Sequence, residues 1–308
     1  MTVRVAALQA SASQCYTEAK FQQKVSDLVR HAASLGARIV VFPEDIGLWL
    51  NFCKESTAVV RARERAGGMP ISQMSAPPTL SGPRAAFEHV SDWVFGHLHL
   101  RWLGDYLAEA KIERICARAF CRAAQESGVV VVGGSIYQRR PDGIYATCTT
   151  YDTDGAACGT ISKKHLIPEE VSFGVKPGGP TTAIQTKEFT LGVCLCYDLN
   201  FPEVVAALAV QGAQVICAGT TGIRPWPRYP FDPKADMPQV ERAKETGLPF
   251  VRAYQCGWCA PGLYFSGHAS VVNGKGDVVA SSRSEAHEEI VIADLDLKPK
   301  AQSPKPKA

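Results

Sequence analysis

The residue best suited to chemistry is Cys196, which begins the stretch Cys-Tyr-Asp-Leu-Asn-Phe-Pro-Glu at residues 196–203. The apolar run before it, residues 189–194, predicts a buried strand, and Asn200 can cap a helix whose first turn contains Pro202. A cysteine on a sharp turn between a strand and a helix faces the positive end of that helix, which favours thiolate over thiol. The pattern therefore predicts a cysteine nucleophile.

The chain has eleven cysteines, and a free cysteine is more often a small buried hydrophobe than a catalyst. Cys194 is predicted to point into the core, because side chains alternate along a strand. Cys256 and Cys259 have the spacing of a redox or metal pair, but no second Cys or His pair follows at zinc spacing. Without the spacing of a small disulfide-rich domain, the cysteines favour a reducing cytoplasm.

Two charged residues follow other predicted strands. Glu44 comes directly after the strand at residues 38–42, where open α/β sheets commonly place a site residue. Taken alone, a glutamate in this position is more often a solvated or helix-capping acid. Lys163 lies in a predicted strand at residues 160–166 and would, taken alone, be an ordinary exposed lysine. Their positions in the sequence alone therefore do not assign a role to Glu44 or Lys163.

The elements that must position these residues alternate between strand and helix, which predicts an α/β fold. Strands are predicted at residues 3–8, 38–42, 129–136, 145–151, 160–166, 189–194, 213–218, 250–254 and 289–295, and helices at 19–35, 115–127, 204–210 and 238–246. We expect a single domain over residues 1–297, with an insertion at about 49–113 and a disordered tail at 298–308. The insertion could pack on the domain, cover the site as a lid or form a subunit contact.

Composition excludes several classes of function. The net charge of +3 comes without a strongly basic block outside the tail, so nucleic acid is not an expected partner. No stretch approaches the length of a membrane span. The amino-terminal residues predict a strand rather than a signal peptide.

Taken together, three motifs are far more specific than any one of them. Glu44, Lys163 in a Lys-x-His-Leu setting and Cys196 in Cys-Tyr-Asp-x-x-Phe-Pro-Glu occur in an order that resembles the nitrilase superfamily of carbon-nitrogen hydrolases. The resemblance runs from about residue 3 to residue 295 and is interrupted by the insertion. It implies a four-layer α-β-β-α sandwich in which Cys196 is the nucleophile, Glu44 the general base and Lys163 the cation beside the developing oxyanion.

The resemblance also implies supporting residues. Many members of the family have a second glutamate after the lysine, and Glu170 is our first choice, with Glu169 as the alternative and two solvated loop acids as the competing interpretation. The backbone N–H of Tyr197 is a candidate oxyanion donor, and His165 a candidate for a structural hydrogen bond. One departure is clear, because the asparagine of the family's Tyr-Asn-Thr element is replaced by Ala146.

The predicted function is that of a thiol hydrolase, which cleaves a non-peptide carbon-nitrogen bond through an acyl-enzyme without a metal or organic cofactor. Amides are the leading substrates, followed by nitriles and N-carbamoyl compounds. We expect a cytoplasmic homodimer or higher homo-oligomer. Two alternatives stay open. One is an N-acyltransferase, since residues 241–253 and 165–168 are similar to the hydrolase-like domain of lipoprotein N-acyltransferases, and the other is a non-catalytic binding protein on the same fold.

Overall fold

The computed structural model describes residues 1–13, 15, 17–50, 101–222, 237–260 and 263–300. The strands are β1 (Thr2–Ala10), β2 (Ile39–Val41), β3 (Val130–Arg140), β4 (Gly143–Tyr151), β5 (Ala157–Ser162), β6 (Ile184–Gln185), β7 (Thr190–Leu195), β8 (Val215–Thr220), β9 (Phe250–Gln255), β10 (Gly257–Ala260), β11 (Leu263–Phe265), β12 (Ser270–Val272), β13 (Val278–Ser281) and β14 (Glu289–Asp296). The α-helices are α1 (Glu18–Ser34), α2 (Arg101–Leu107), α3 (Ala110–Ser127), α4 (Pro168–Ser172), α5 (Pro202–Val210) and α6 (Pro238–Thr246), and a 3-10 helix spans Cys196–Asn200.

Twelve strands form one mixed sheet, whose main path runs β5-β4-β3-β2-β1-β9-β8-β7-β6. Strands β1, β2 and β3 are parallel to one another, and so are β7, β8 and β9, with β1 and β9 joining the two halves in parallel. Strand β14 lies antiparallel on β1. Carboxyl ends of parallel strands meet at one edge of a sheet, so the loops after β2 and β7 emerge on the same side.

Three hydrophobic clusters divide the molecule into four layers. One cluster packs α1 and α3 on the first half of the sheet, through residues such as Phe21, Val40 and Phe120. A second cluster lies between the two halves and contains residues of both, among them Val41 and Val193. The third packs α5 and α6 on the other half. The predicted four-layer α-β-β-α sandwich is confirmed, because the continuous sheet places its two halves face to face between the helices.

Two local predictions are wrong. The strand predicted at residues 160–166 ends at Ser162, so Lys163 begins the following loop. There its N–H donates to the carbonyl of Ala146 at 2.8 Å and its carbonyl accepts from Gly178 at 2.7 Å. Asn200 does not cap the helix after Cys196, because the 3-10 helix occupies residues 196–200 and Phe201 is the N-cap of α5, without a side-chain cap.

Several predictions concern residues beyond this description. Residues 51–100, most of the predicted insertion, lie outside the described ranges, and so do residues 301–308 of the predicted tail and residues 223–236 of the loop after β8. The insertion and the tail therefore stay predictions. None of the described helices combines the length and apolar character needed to cross a lipid bilayer.

Candidate active site

The structure brings Glu44, Lys163 and Cys196 to one place from three different strand ends. Glu44 follows β2, Lys163 follows β5 and Cys196 follows β7. The two halves of the sheet approach closely at Gly219, which pairs with Leu195 in the neighbouring strand. A Cβ atom at Gly219 would lie 3.1 Å from the backbone nitrogen of Glu44, so glycine lets the strand beside the cysteine pass close to the glutamate.

The centre of the site is a buried group of charges, which we call the Glu-Lys-Glu cluster: Glu44, Lys163 and Glu170. The Nζ atom of Lys163 lies 2.8 Å from Oε1 of Glu44 and 2.8 Å from Oε1 of Glu170. All three side chains are at most 3% exposed. Burying a charged group costs free energy unless the group is paired with an opposite charge. Here the ammonium of Lys163 pairs with both carboxylates.

The structure also distinguishes the two candidate second glutamates. Glu170 is buried, and its Oε2 atom accepts the N–H of Ile167 at 2.9 Å in addition to the bond from Lys163. Glu169 is exposed. Helix α4 begins at Pro168, and its phase turns the third residue inward and the second outward. Glu170 is therefore the glutamate in contact with Lys163.

Glu44 is fixed through its backbone by residues that the sequence analysis missed. The side-chain amide of Gln255, at the end of β9, donates to the carbonyl of Glu44 at 2.6 Å. The indole N–H of Trp49 donates in turn to Oε1 of Gln255 at 3.0 Å. Both side chains are almost completely buried. Sequence reasoning missed this contact because Glu44 and Gln255 are 211 residues apart in the chain.

The turn that carries Glu44 also depends on Gly134 of β3, which has φ +70° and lies against Pro43. We expect Gly134→Ala to lower the free energy of unfolding by about 3 kcal/mol, from left-handed strain together with overpacking. A Cβ atom there would collide with the carbonyl oxygen of Pro43 and displace Glu44, so any amide turnover should fall as well. Chemical denaturation and a turnover assay measure the two effects.

The matched control is Gly128→Ala, at the C-cap of α3. Gly128 has φ +63°, but a Cβ atom there would have no neighbour within 4 Å. It should show only the conformational strain, about 1–2 kcal/mol, with turnover unchanged. Equal stability losses in the two variants would show that contact with Pro43 is unimportant.

Cys196 has a backbone conformation that non-glycine residues rarely adopt. Its φ is +40°, and it begins the 3-10 helix directly after β7. Cys194 is buried to 99% in the layer beneath the helices, whereas Cys196 is partly exposed and its thiol donates to the carbonyl of Thr221 at 3.3 Å. Strained backbone of this kind is common at active sites, because it re-aims a side chain.

The electrostatics of the thiol differ from the prediction. Burial raises the pKa of Cys196 well above its ordinary value, and the charge of Glu44 raises it further, while Lys163 and Arg252 oppose the shift. Desolvation therefore opposes the predicted preference for thiolate, and the nearby positive charges of Lys163 and Arg252 favour it. A base must take the proton of this thiol before or during attack.

The pKa values of both charged partners of the thiol, Glu44 and Lys163, are raised. Burial raises the pKa of Glu44 from 4.5 to about 7, Lys163 lowers it, and the charge of Glu170 raises it. Burial works against the charged form of Lys163, but Glu44, Cys196 and Glu170 raise the pKa of Lys163 well above its ordinary value. These shifts favour the ammonium form of Lys163 and bring the pKa of Glu44 close to neutral pH.

The remaining predicted residues flank the thiol. Tyr197 follows Cys196 in the 3-10 helix, and its side chain is 38% exposed. The Nδ1 atom of His165 lies 3.1 Å from Oδ1 of Asp198, and its ring stacks on Phe201 with 3.5 Å between ring centroids. The carboxylate of Asp198 also accepts the backbone N–H of His165 at 2.8 Å. Asp198, which the sequence analysis did not single out, thus ties the loop after Lys163 to the turn after Cys196.

The described residues contain no group of three or more His, Cys, Asp or Glu side chains arranged to bind a metal ion. Cys256 is buried, and the side chain of Cys259 lies outside the described ranges. At the position of the missing asparagine, Ala146 is buried, and its carbonyl accepts the backbone N–H of Lys163.

Comparisons with known proteins agree on a family. The model of the carbon-nitrogen hydrolase family matches residues 102–303, well over half of the chain. Among curated proteins, the omega-amidase NIT2 of Danio rerio is 29% identical over 200 residues, which cover 61% of this chain and 68% of that protein. The omega-amidase NIT2 of Homo sapiens is 28% identical over 205 residues, 62% of this chain and 70% of that protein.

Solved structures match over almost the whole chain. A variant of the amidase from Nesterenkonia sp. AN1, with acrylamide added to its active-site cysteine, has a TM-score of 0.64 at 20% identity and covers 96% of this chain and 93% of that chain. A carbon-nitrogen hydrolase from Helicobacter pylori G27 has a TM-score of 0.67 at 19% identity, with 96% and 89% covered. At these identities the likeness shows the fold. With the family match it leads to one conclusion: the chain belongs to the carbon-nitrogen hydrolase family and is an enzyme that acts on carbon-nitrogen bonds other than peptide bonds.

Proposed function

We propose that the protein hydrolyses a small amide through an acyl-enzyme on Cys196, with Glu44 as general base and Lys163 as the oxyanion-stabilising cation. The observation that carries the proposal is the ammonium of Lys163, which lies 2.8 Å from two buried carboxylates where the strand of Cys196 ends. A buried ammonium, a base that titrates near neutrality and a partly exposed thiol are the groups that acyl transfer requires.

In the first half-reaction, Glu44 removes the S–H proton as the sulfur attacks the amide carbon. This proton transfer is necessary because the raised pKa of Cys196 leaves little free thiolate. The carbonyl oxygen becomes negative, and donors aimed at such an oxygen contribute about 3–4 kcal/mol each. We assign this role to Lys163 and to the backbone N–H of Tyr197. When the carbon-nitrogen bond breaks, Glu44 returns its proton to the leaving amine.

In the second half-reaction, water replaces the amine. Glu44 is a carboxylate again and removes a proton from the water that attacks the thioester carbon. The carbon-sulfur bond then breaks, the carboxylic acid leaves, and the proton returns to the sulfur. Each group therefore acts twice, and the cycle restores the starting protonation without a cofactor.

Amides are the leading substrate class. The curated relatives are named omega-amidases, and the Nesterenkonia amidase has been described with acrylamide on its cysteine and with butyramide bound. These names support small primary amides ahead of nitriles and N-carbamoyl compounds.

The proposal is tested by measuring ammonia release from small primary amides between pH 5 and 9. The rate needs Glu44 as carboxylate, and its pKa is raised to about 7. We therefore expect kcat/KM to rise about tenfold per pH unit below 7 and to level off above it. A midpoint of the pH profile at pH 4 to 5 would contradict the assignment of Glu44 as the base. If no amide, nitrile or N-carbamoyl compound is turned over, the alternative of a non-catalytic binding protein is favoured.

Mass spectrometry of the intact protein during turnover should detect the acyl adduct. Adding hydroxylamine or a primary amine tests the acyltransferase, which shares the first half-reaction but delivers the acyl group to nitrogen. If the reaction yields more amide product than carboxylic acid at low amine concentration, the protein is an acyltransferase and not a hydrolase.

We also propose that the protein works in the cytoplasm as a homodimer or higher homo-oligomer. The nine cysteines whose side chains the structure describes are all free thiols, which supports a reducing compartment. Exposed apolar side chains such as Val278 and Val279 on β13 are available for a subunit contact.

A further inference from the structure

The peptide group between Glu44 and Asp45 is held on both of its polar edges by side chains of other strands. Its carbonyl, which belongs to Glu44, accepts the side-chain amide of Gln255 at 2.6 Å. Its N–H, which belongs to Asp45, donates to Oγ of Ser135 at 2.8 Å. Ser135 lies in β3 and Gln255 ends β9, so the two bonds come from different halves of the sheet. We call Ser135 and Gln255 the peptide clamp.

The side-chain amide of Gln255 has one orientation that satisfies both of its neighbours. The indole nitrogen of Trp49, which can only donate, lies 3.0 Å from Oε1 of Gln255. The oxygen must therefore face the indole, and the NH2 group must face the carbonyl of Glu44. Trp49, Gln255 and Ser135 are each at most 1% exposed, so the protein itself supplies these hydrogen bonds.

The backbone that the peptide clamp holds is strained. Asp45 has φ +58°, a left-handed conformation that costs free energy in a residue with a side chain. Such conformations persist where the surrounding structure fixes them from several directions. Ser135 adds a further bond, since its carbonyl accepts the N–H of Gly47 at 3.3 Å. If a bond of the clamp is lost, the turn is free to relax, and Glu44 moves with it.

The position of this turn decides where the carboxylate of Glu44 lies. Its Oε1 atom is 2.8 Å from Nζ of Lys163. A peptide group is planar and rigid, so fixing its two polar edges also fixes the adjoining Cα atom of Glu44, from which the side chain departs. A reacting group that is misplaced by about 1 Å can cost about 10²-fold in rate.

We propose that Ser135 and Gln255 are positioning residues, which hold the peptide group after Glu44 so that its carboxylate meets Lys163 and the thiol of Cys196. The role rests on the proposed function of Glu44 as general base. Both bonds of the peptide clamp are made to backbone atoms, so their loss should slow the chemical steps and leave substrate binding largely unchanged.

Gln255→Met tests the proposal, because it removes the donor to Glu44 at a similar side-chain size. For ammonia release from a small primary amide, we expect kcat to fall about 10- to 100-fold and KM to change less than about twofold. Ser135→Ala should lower kcat about three- to tenfold, again with little change in KM. A higher KM with an unchanged kcat in either variant would overturn the positioning role.

The double variant shows whether the two residues act on one group. Once Gln255→Met has released the peptide group, adding Ser135→Ala should cost little more, so the combined loss of kcat should be smaller than the product of the two single losses. A combined loss equal to that product would mean that the two side chains act independently, which would overturn the clamp.

Gln214→Met is the matched control. Gln214 is also a buried glutamine that joins two backbone groups, since it donates to the carbonyl of Lys298 and accepts the N–H of Thr190 at 2.8 Å. It precedes β8, at the end of the sheet opposite the site. Gln214→Met should keep the wild-type kcat even where its melting temperature falls as far as that of Gln255→Met. An equal loss of kcat in the two folded variants would overturn the proposal.

Hydrogen exchange distinguishes failure of the peptide clamp from failure of the proposed function, because it needs no substrate. The amide N–H of Asp45, followed by NMR, should exchange at least about tenfold faster in Gln255→Met and in Ser135→Ala than in the wild type or in Gln214→Met. Equal exchange in all four proteins would overturn the clamp, whatever the turnover. Faster exchange in a protein whose wild type turns over no amide would instead refute Glu44 as base, and with it the positioning role.

Discussion

Replacing Cys196 by alanine is expected to abolish amide turnover, with a loss of at least about 10⁴-fold, the range seen when a catalytic nucleophile is removed. The thiol donates to the carbonyl of Thr221 at 3.3 Å, and the side chain is partly exposed. The free energy of unfolding should therefore change little, by about 1 kcal/mol or less. Ammonia release and chemical denaturation measure the two quantities on the same sample.

Cys194→Ala provides the matched control. Cys194 lies two residues away and is buried to 99%, so its replacement removes core contacts without touching the site. It should lose stability and keep its turnover. Iodoacetamide should modify residue 196 in wild type and in Cys194→Ala. Two results would contradict the assignment of Cys196 as nucleophile. One is full turnover by Cys196→Ala, and the other is an equal loss of turnover in a folded Cys194→Ala variant.

The sequence was sufficient to predict the architecture and the family. Alternating strands and helices predicted the α/β class, and the three motifs predicted the four-layer sandwich and the carbon-nitrogen hydrolase family, both of which are confirmed. These features can be predicted because the periodicity of strands and helices and the residues of each motif depend on short stretches of sequence. The catalytic roles of Glu44, Lys163 and Cys196 stay proposals, supported by their convergence.

What the sequence could not supply depends on burial and on distant contacts. The direction of the pKa shift of Cys196 is set by desolvation, which no local pattern reveals. The choice between Glu169 and Glu170 follows from where α4 begins, and an error of one residue in that boundary exchanges them. Gln255 contacts Glu44 across 211 positions, a separation at which a single sequence carries no signal.

Lys163→Met is expected to affect stability as strongly as activity. The variant leaves Glu44 and Glu170 buried without the ammonium that lies 2.8 Å from each. Breaking a buried charge pair by removing one partner costs about 3–5 kcal/mol, so denaturation at pH 8 should show a loss of that size. Turnover should fall by about 10³-fold or more, because the oxyanion loses its cation.

The loss of stability should depend on pH. Even beside Lys163 the pKa of Glu44 in the folded protein is raised from 4.5 to about 7, and without the lysine it should rise further. A carboxyl with a raised pKa binds its proton more tightly when folded, so stability falls as pH rises above the unfolded value of 4.5. The stability deficit of Lys163→Met should therefore be largest at pH 8 and shrink towards pH 5, where Glu44 can be neutral.

Two further variants show whether charge is the cause. Adding Glu44→Gln to Lys163→Met removes one uncompensated carboxylate and should recover part of the stability at pH 8 without restoring turnover. Lys187→Met breaks an exposed pair with Asp154, and exposed pairs contribute about 0–1 kcal/mol, so its stability should stay close to that of the wild type. A deficit in Lys163→Met that is the same at pH 5 and pH 8 would show that the lysine acts by packing, and the electrostatic account of the Glu-Lys-Glu cluster would be wrong.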